Sequence, residues 1–144
     1  MATKYRIGIL GSTGRGNYGH GLDTVWQEFP NADVVAVADD NPTGLSKAVK
    51  RLDNPKGYAD YRHMLKKEKL DFVSICPRWI DQHRDMMVAA AEAGVRGIYQ
   101  EKPLCQTLRQ ADEMISTCEK SNVKVAVAHQ TRYSPVLTQI EQLL

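Results

Sequence analysis

Tyr5-Arg6-Ile7-Gly8-Ile9-Leu10-Gly11-Ser12-Thr13-Gly14-Arg15-Gly16 is the stretch that decides the fold. An apolar run of strand length passes without a linker into a segment with glycine at 11, 14 and 16. Such a junction lets the backbone turn sharply and approach a ligand closely, and the N–H groups and positive dipole end of a helix following it would attract a diphosphate. Against the spacing G-x-G-x-x-G, Gly11 and Gly16 are the first and third glycines and Thr13 stands at the second. Its Cβ lies where a phosphate should pass, so either the backbone shifts or Gly14 takes over the close approach. The Thr13 hydroxyl could also donate to a phosphate oxygen. The loop Gly11, Ser12, Thr13, Gly14, Arg15 and Gly16 is therefore the candidate phosphate cradle, although a plain tight turn would look the same in isolation.

The second apolar run, Asp33 to Ala38, ends in Asp39-Asp40, and Asp39 follows Gly16 by 23 residues. That is close to the roughly 20 expected for an acid that accepts both adenosine ribose hydroxyls. A carboxylate there repels a 2′-phosphate and favours NAD over NADP, whereas Arg15 could instead reach that phosphate and leave NADP open. Asp39-Asp40 also reads as a turn starter before Asn41-Pro42.

Further strands are expected at 71–76, 96–99 and 124–128, with a short one at 56–58. Each is a brief, nearly continuous apolar run of the kind buried between layers of helix. Asn41 and Pro42 mark a helix running to Leu52 as N-cap and first helical residue, and Thr107 with Gln110 opens another reaching about Ser121. Gln82 to Ala93 carries Met86, Met87 and Ala90 at helical spacing and ends at Gly94. Ser134-Pro135 starts a last helix. The alternation predicts an α/β fold of Rossmann type: a doubly wound, mainly parallel sheet with helices on both faces, in one domain over 1–144.

With 19 basic against 17 acidic side chains, the chain lacks the basic face that nucleic acid or an anionic membrane would need. No apolar run reaches the roughly 18 residues of a bilayer span, and the start lacks a secretion signal, so a cytoplasmic location is expected. The spacing of Cys76, Cys105 and Cys118 gives no C-x-x-C pair, so free thiols and no metal site are expected.

The order glycine loop, Asp39, Asp60-Tyr61, Pro77, His83, Ala93-Gly94, Glu101-Lys102-Pro103 and His129-Gln130-x-Arg132-Tyr133 resembles the N-terminal domain of the Gfo/Idh/MocA oxidoreductases. The resemblance runs through essentially the whole chain. It implies an NAD(P)-dependent dehydrogenase that moves a hydride between nicotinamide and a sugar or cyclitol-like alcohol. Lys102 would be the catalytic residue beside the nicotinamide, Glu101 would line the same pocket, and Pro77 would turn the chain past the cofactor. His83 resembles the family histidine, which usually follows that proline by four positions rather than the six found here; it reads equally as a pocket residue or as a polar helix-start residue. Trp79 could be a lid or a cap on apolar surface. The resemblance further implies a second domain carrying most substrate contacts and an Asp-x-x-x-His base. That domain is expected to be absent from this chain, so the chain alone should bind nucleotide without turnover, and any homo-oligomer would form through the other domain. A non-catalytic nucleotide-binding or regulatory module on the same fold is the competing class.

Overall fold

A computed structural model describes residues 4–143. Six strands form one sheet, β1 (Tyr5–Leu10), β2 (Ala32–Ala38), β3 (Lys56–Tyr58), β4 (Phe72–Ile75), β5 (Gly97–Gln100) and β6 (Lys124–Val127). They lie in the order β3-β2-β1-β4-β5-β6, and every neighbouring pair is parallel. The order reverses between β1 and β4, which opens a crevice beyond their C-terminal ends. All the expected strands form, with ends moved by one residue or left in place.

The helices are α1 (Pro42–Arg51), α2 (Tyr61–Lys67), α3 (His83–Glu92), α4 (Leu108–Lys120) and α5 (Pro135–Glu141). Their starts follow the sequence signals. The Asn41 side chain accepts from Gly44 N at 2.9 Å, and the Thr107 hydroxyl accepts from Gln110 N at 3.2 Å, each satisfying one free amide of a first turn. Gln110 Oε1 reaches back to Gln106 N rather than to the capping residue itself.

Alternation along β1 and β2 divides the core. Ile7, Ile9 and Val37 pack with Ala48, Leu52 and Leu22 on the α1 side. Leu10, Ala36 and Ala38 pack with Met64, Met86, Met87, Ala90 and Met114 from α2, α3 and α4 on the other. The methionines fill this second layer, where their flexible thioethers fit an irregular space. On the α1 side, an apolar hollow of ≈ 450 Å³ lined by Trp26, Phe29, Phe72, Tyr99 and Val125 lies over β4–β6.

One expectation fails. The helix foreseen directly after the glycine loop does not form. Residues 11–24 run through turns to a 3-10 segment at Val25–Glu28. Gly14, Gly16, Asn17, Gly19 and Gly21 all take positive φ, which no right-handed helix can contain.

No helix among the described residues is long and apolar enough to cross a membrane. Cys76 and Cys118 are buried, Cys105 is half-buried, and all three are free.

Candidate functional site: a crevice at the strand ends

Two hollows of opposite polarity lie at the C-terminal ends of the strands. A polar one of ≈ 220 Å³ is lined by Gly11, Ser12, Asp40, Asp60, Arg62 and Gln82, beyond β1, β2 and β3. An open, mostly apolar one of ≈ 480 Å³ is lined by Arg78, Trp79, Ile80, Asp81 and Pro103, beyond β4 and β5. The glycine loop and the segment after β4 meet across the crevice. Arg78 N and Trp79 N each donate at 3.4 Å, to Gly16 O and Arg15 O respectively. The Arg15 guanidinium pairs with Asp81 and sits 5.7 Å from the Trp79 ring centroid. Arg15 therefore lies at the expected place, but it is engaged by the protein.

Thr13 and Asp39 differ from expectation. The Thr13 hydroxyl donates to Asp39 Oδ2 at 2.6 Å rather than standing free for a phosphate. Asp39 is 1% exposed, and its carboxylate is surrounded by donors. Oδ1 accepts from Thr13 N at 3.1 Å and Asn41 N at 3.0 Å, while Oδ2 also accepts from Tyr18 OH at 2.8 Å. Burial and the bond to Asp39 push the Tyr18 hydroxyl well above its ordinary range, so it remains a donor. These bonds occupy the roughly four acceptor positions of a carboxylate, which corrects the reading of Asp39 as an open ribose acceptor.

Gly44 makes the Thr13–Asp39 pairing sterically possible. A Cβ at Gly44 would lie 2.6 Å from Thr13 Cβ and 2.9 Å from Asp39 Oδ2. Gly44→Ala is expected to lower stability by about 2–3 kcal/mol, the scale of overpacking in a tight site. Adding Thr13→Gly should restore part of the loss. Urea unfolding of the two single variants and the double variant checks this, and additive losses would refute the contact.

His83 is likewise corrected. It is fully buried, with Nδ1 2.8 Å from Pro103 O and Nε2 2.7 Å from Pro77 O. It joins the loops after β4 and β5 and touches neither hollow. The 3-10 turn Ile80–Gln82 takes up the longer spacing from Pro77. Pro77 is buried and acts through its carbonyl. His83→Leu is expected to reduce stability by about 1–3 kcal/mol, because the ring lies within hydrogen-bond distance of both carbonyls and at least one of them loses its donor. Thermal unfolding measures it, and a midpoint equal to that of the original chain would remove this role.

Glu101 lies at the end of β5, fully buried. Its Oε2 accepts from His20 N at 2.9 Å and lies 2.8 Å from His20 Nδ1, and its Oε1 accepts from Lys102 N at 3.0 Å. Gly19, at φ +65°, lets the chain pass, because a Cβ there would come within 2.5 Å of Glu101 Oε2. The Glu101 carboxylate thus bonds to His20 and to the Lys102 backbone, and not to the Lys102 ammonium. Lys102 is exposed, and among the described residues nothing is bonded to its ammonium. Sequence reasoning missed Tyr18 and His20; the glycines flanking His20 were the available signal. His129, Gln130 and Arg132 are exposed at the β6 edge, on the opposite side of the sheet from Asp39.

Residues 5–129 match the family described as "Oxidoreductase family, NAD-binding Rossmann fold", GFO_IDH_MocA, and the chain belongs to that family. It is 33% identical to a D-apiose dehydrogenase of Paraburkholderia graminis over 119 residues, which is 83% of this chain and 31% of that protein. It is 29% identical to a trans-1,2-dihydrobenzene-1,2-diol dehydrogenase of Xenopus tropicalis over 149 aligned residues, covering all of this chain and 42% of that protein. The chain thus spans between about a third and two-fifths of these curated relatives. Its fold superposes, with a TM-score of 0.83 at 21% identity, on an oxidoreductase of Agrobacterium radiobacter crystallised with NAD+, L-tartaric acid and magnesium. That match covers 98% of this chain and 40% of the other.

NAD is the cofactor of the family, and the crevice fits it. Ser12 lines the polar hollow, and its hydroxyl is buried without a hydrogen-bond partner among the described residues. Gly14, at φ +88°, has nothing within 4 Å of the position of a Cβ and leaves the loop open to a ligand.

Proposed function

We propose that the chain is the nucleotide-holding part of an NAD-dependent dehydrogenase acting on a secondary alcohol of a sugar or cyclic polyol, with Lys102 at the reacting oxygen. The observation that carries the reading is the exposed Lys102, whose ammonium is unpaired among the described residues and which stands in the chain between buried Glu101 and Pro103, a wall of the apolar hollow. The names of the two relatives, one acting on a sugar and one on a cyclic diol, support the substrate class.

The nicotinamide, when bound, supplies the hydride acceptor. Ser12 and the glycine loop would hold the diphosphate, joined by Arg15 once it leaves Asp81. The apolar walls of Trp79, Ile80 and Pro103 exclude water from the reacting end. Lys102 stabilises negative charge growing on the substrate oxygen, a role worth several kcal/mol where water is excluded. Glu101 fixes the backbone of Lys102, and through His20 it fixes the turn that closes over the ends of β4 and β5.

The second reading, a nucleotide-sensing module without chemistry, draws on the sealed Asp39. Titration of the chain with NADH, followed by nicotinamide fluorescence, tests what both readings share: saturable binding is expected, and a flat response overturns both. A panel of aldoses and cyclic diols with NAD+ and the full-length protein separates them, since NADH formation from none of these alcohols would leave only the sensing module.

A further inference from the structure

We propose that Asp40, one residue past the end of β2, receives the adenosine ribose hydroxyls in this chain. Asp39 is a positioning residue that holds the glycine loop through Thr13. This rests on the reading that the crevice takes NAD(H).

The argument begins with acceptor capacity. An ionised carboxylate offers about four acceptor positions, and those of Asp39 are taken by Thr13 N, Thr13 Oγ1, Tyr18 OH and Asn41 N. A ribose diol would have to displace short, buried bonds to reach it. The cause is Thr13. A residue with a Cβ at the central glycine position has turned its hydroxyl onto the strand-end acid, with Gly44 clearing the space behind it.

Asp40 stands differently. It is exposed, it lines the polar hollow, and among the described residues no donor is bonded to its carboxylate. Asp60 and Arg62 line the same hollow, as does Asp39 with its acceptor positions already filled. Asp60 already accepts from Arg62 N at 2.9 Å at the start of α2. The Arg62 guanidinium lies 4.5 Å from the Tyr61 ring centroid. Ser12, whose hydroxyl is buried without a partner among the described residues, also lines this space. The hollow thus presents the free carboxylate of Asp40 and the partly used carboxylate of Asp60, acceptors that a vicinal diol satisfies. A 2′-phosphate brought to the same place meets the carboxylates of Asp39, Asp40 and Asp60 against the single positive charge of Arg62, so the hollow selects NAD over NADP.

Fluorescence titrations of the whole chain with NADH and with NADPH test the assignment. Asp40→Asn should weaken NADH binding about tenfold, the scale of losing a hydrogen bond to a charged acceptor, and should narrow the preference over NADPH. Asp39→Asn should lower the thermal midpoint and weaken both nucleotides alike, leaving their ratio unchanged. Thr13→Gly removes the hydroxyl bond to Asp39 Oδ2 and keeps the one from the backbone N–H to Oδ1, so adding it to Asp40→Asn should restore part of the lost discrimination by freeing one acceptor position of Asp39 for the ribose. An Asp40→Asn chain with unaltered NADH affinity, or one that loses both nucleotides equally, overturns the role of Asp40. Absence of rescue by Thr13→Gly, or an Asp39→Asn chain that loses discrimination at unchanged stability, overturns the role of Asp39. If Asp39→Asn fails to fold, the Asp40 pair of variants still decides. An unmutated chain that binds neither nucleotide overturns the cofactor reading and this assignment together, whereas one that binds NADH while Asp40→Asn behaves identically overturns this assignment alone.

Discussion

Lys102→Ala in the full-length protein is expected to lower kcat by about two to three orders of magnitude while leaving NADH affinity within about twofold of its original value. The two halves of that expectation have separate structural reasons. The Lys102 ammonium is not bonded to any described residue, so no internal ion pair is lost on truncation. Its backbone N–H is what meets the Glu101 carboxylate, at 3.0 Å, and alanine keeps that bond. The loop should therefore hold its shape and its nucleotide, and the loss should appear in the step where charge develops on substrate oxygen. Steady-state kinetics with an NADH titration checks both halves. A kcat within threefold of the original would take Lys102 out of the chemistry, and a parallel collapse of NADH binding would recast it as a cofactor ligand.

Gly16→Ala is expected to have the largest effect on the crevice itself. Gly16 has φ +94°, and a Cβ there would lie 2.2 Å from Arg78 N and 2.7 Å from Trp79 N. Backbone cannot yield as the tip of a long side chain can, so the two loops must separate. Strain from the positive φ adds to the clash, and together they should destabilise the chain by about 3 kcal/mol or more. Gly14→Ala is the control. Its φ is similarly positive at +88°, but a Cβ there meets nothing within 4 Å, so only the backbone strain remains. Denaturant unfolding of both variants should separate them by about 2 kcal/mol, and equal losses would show that the loop contact at Gly16 contributes nothing.

The sheet, the capped helices and the position of the crevice were legible in the sequence because each depends on local signals. β-Branched apolar runs formed strands, while Asn41-Pro42 and Thr107 marked helix starts that their side chains then capped. The region after Gly16 was misread because the pattern G-x-G-x-x-G carries the expectation of a helix. Here Gly16, Asn17, Gly19 and Gly21 impose positive φ, and the density of glycine around Tyr18 and His20 was the sign to heed.

Asp39 was located correctly along the chain, but spacing could not show that Thr13 and Tyr18 would occupy its carboxylate. Nor could it show that His83 would be enclosed between two proline carbonyls, since that depends on how the loops after β4 and β5 come together. Positions followed from sequence, whereas the availability of each polar group followed from packing between distant segments.

The bridge from Arg15 and Gly16 to Arg78, Trp79 and Asp81 also bears on how quickly a nucleotide can dock. Carbonyls of the glycine loop are tied to the Arg78 and Trp79 amides of the facing loop, and Arg15 is tied to an acid. Docking is then an exchange of partners, and the apparent affinity is the intrinsic one scaled by the fraction of molecules with the bridge undone. In stopped-flow mixing, such a molecule shows an observed rate that levels off as NADH rises, at the rate of unfastening; a rate that climbs linearly throughout would mean that the bridge yields without delay.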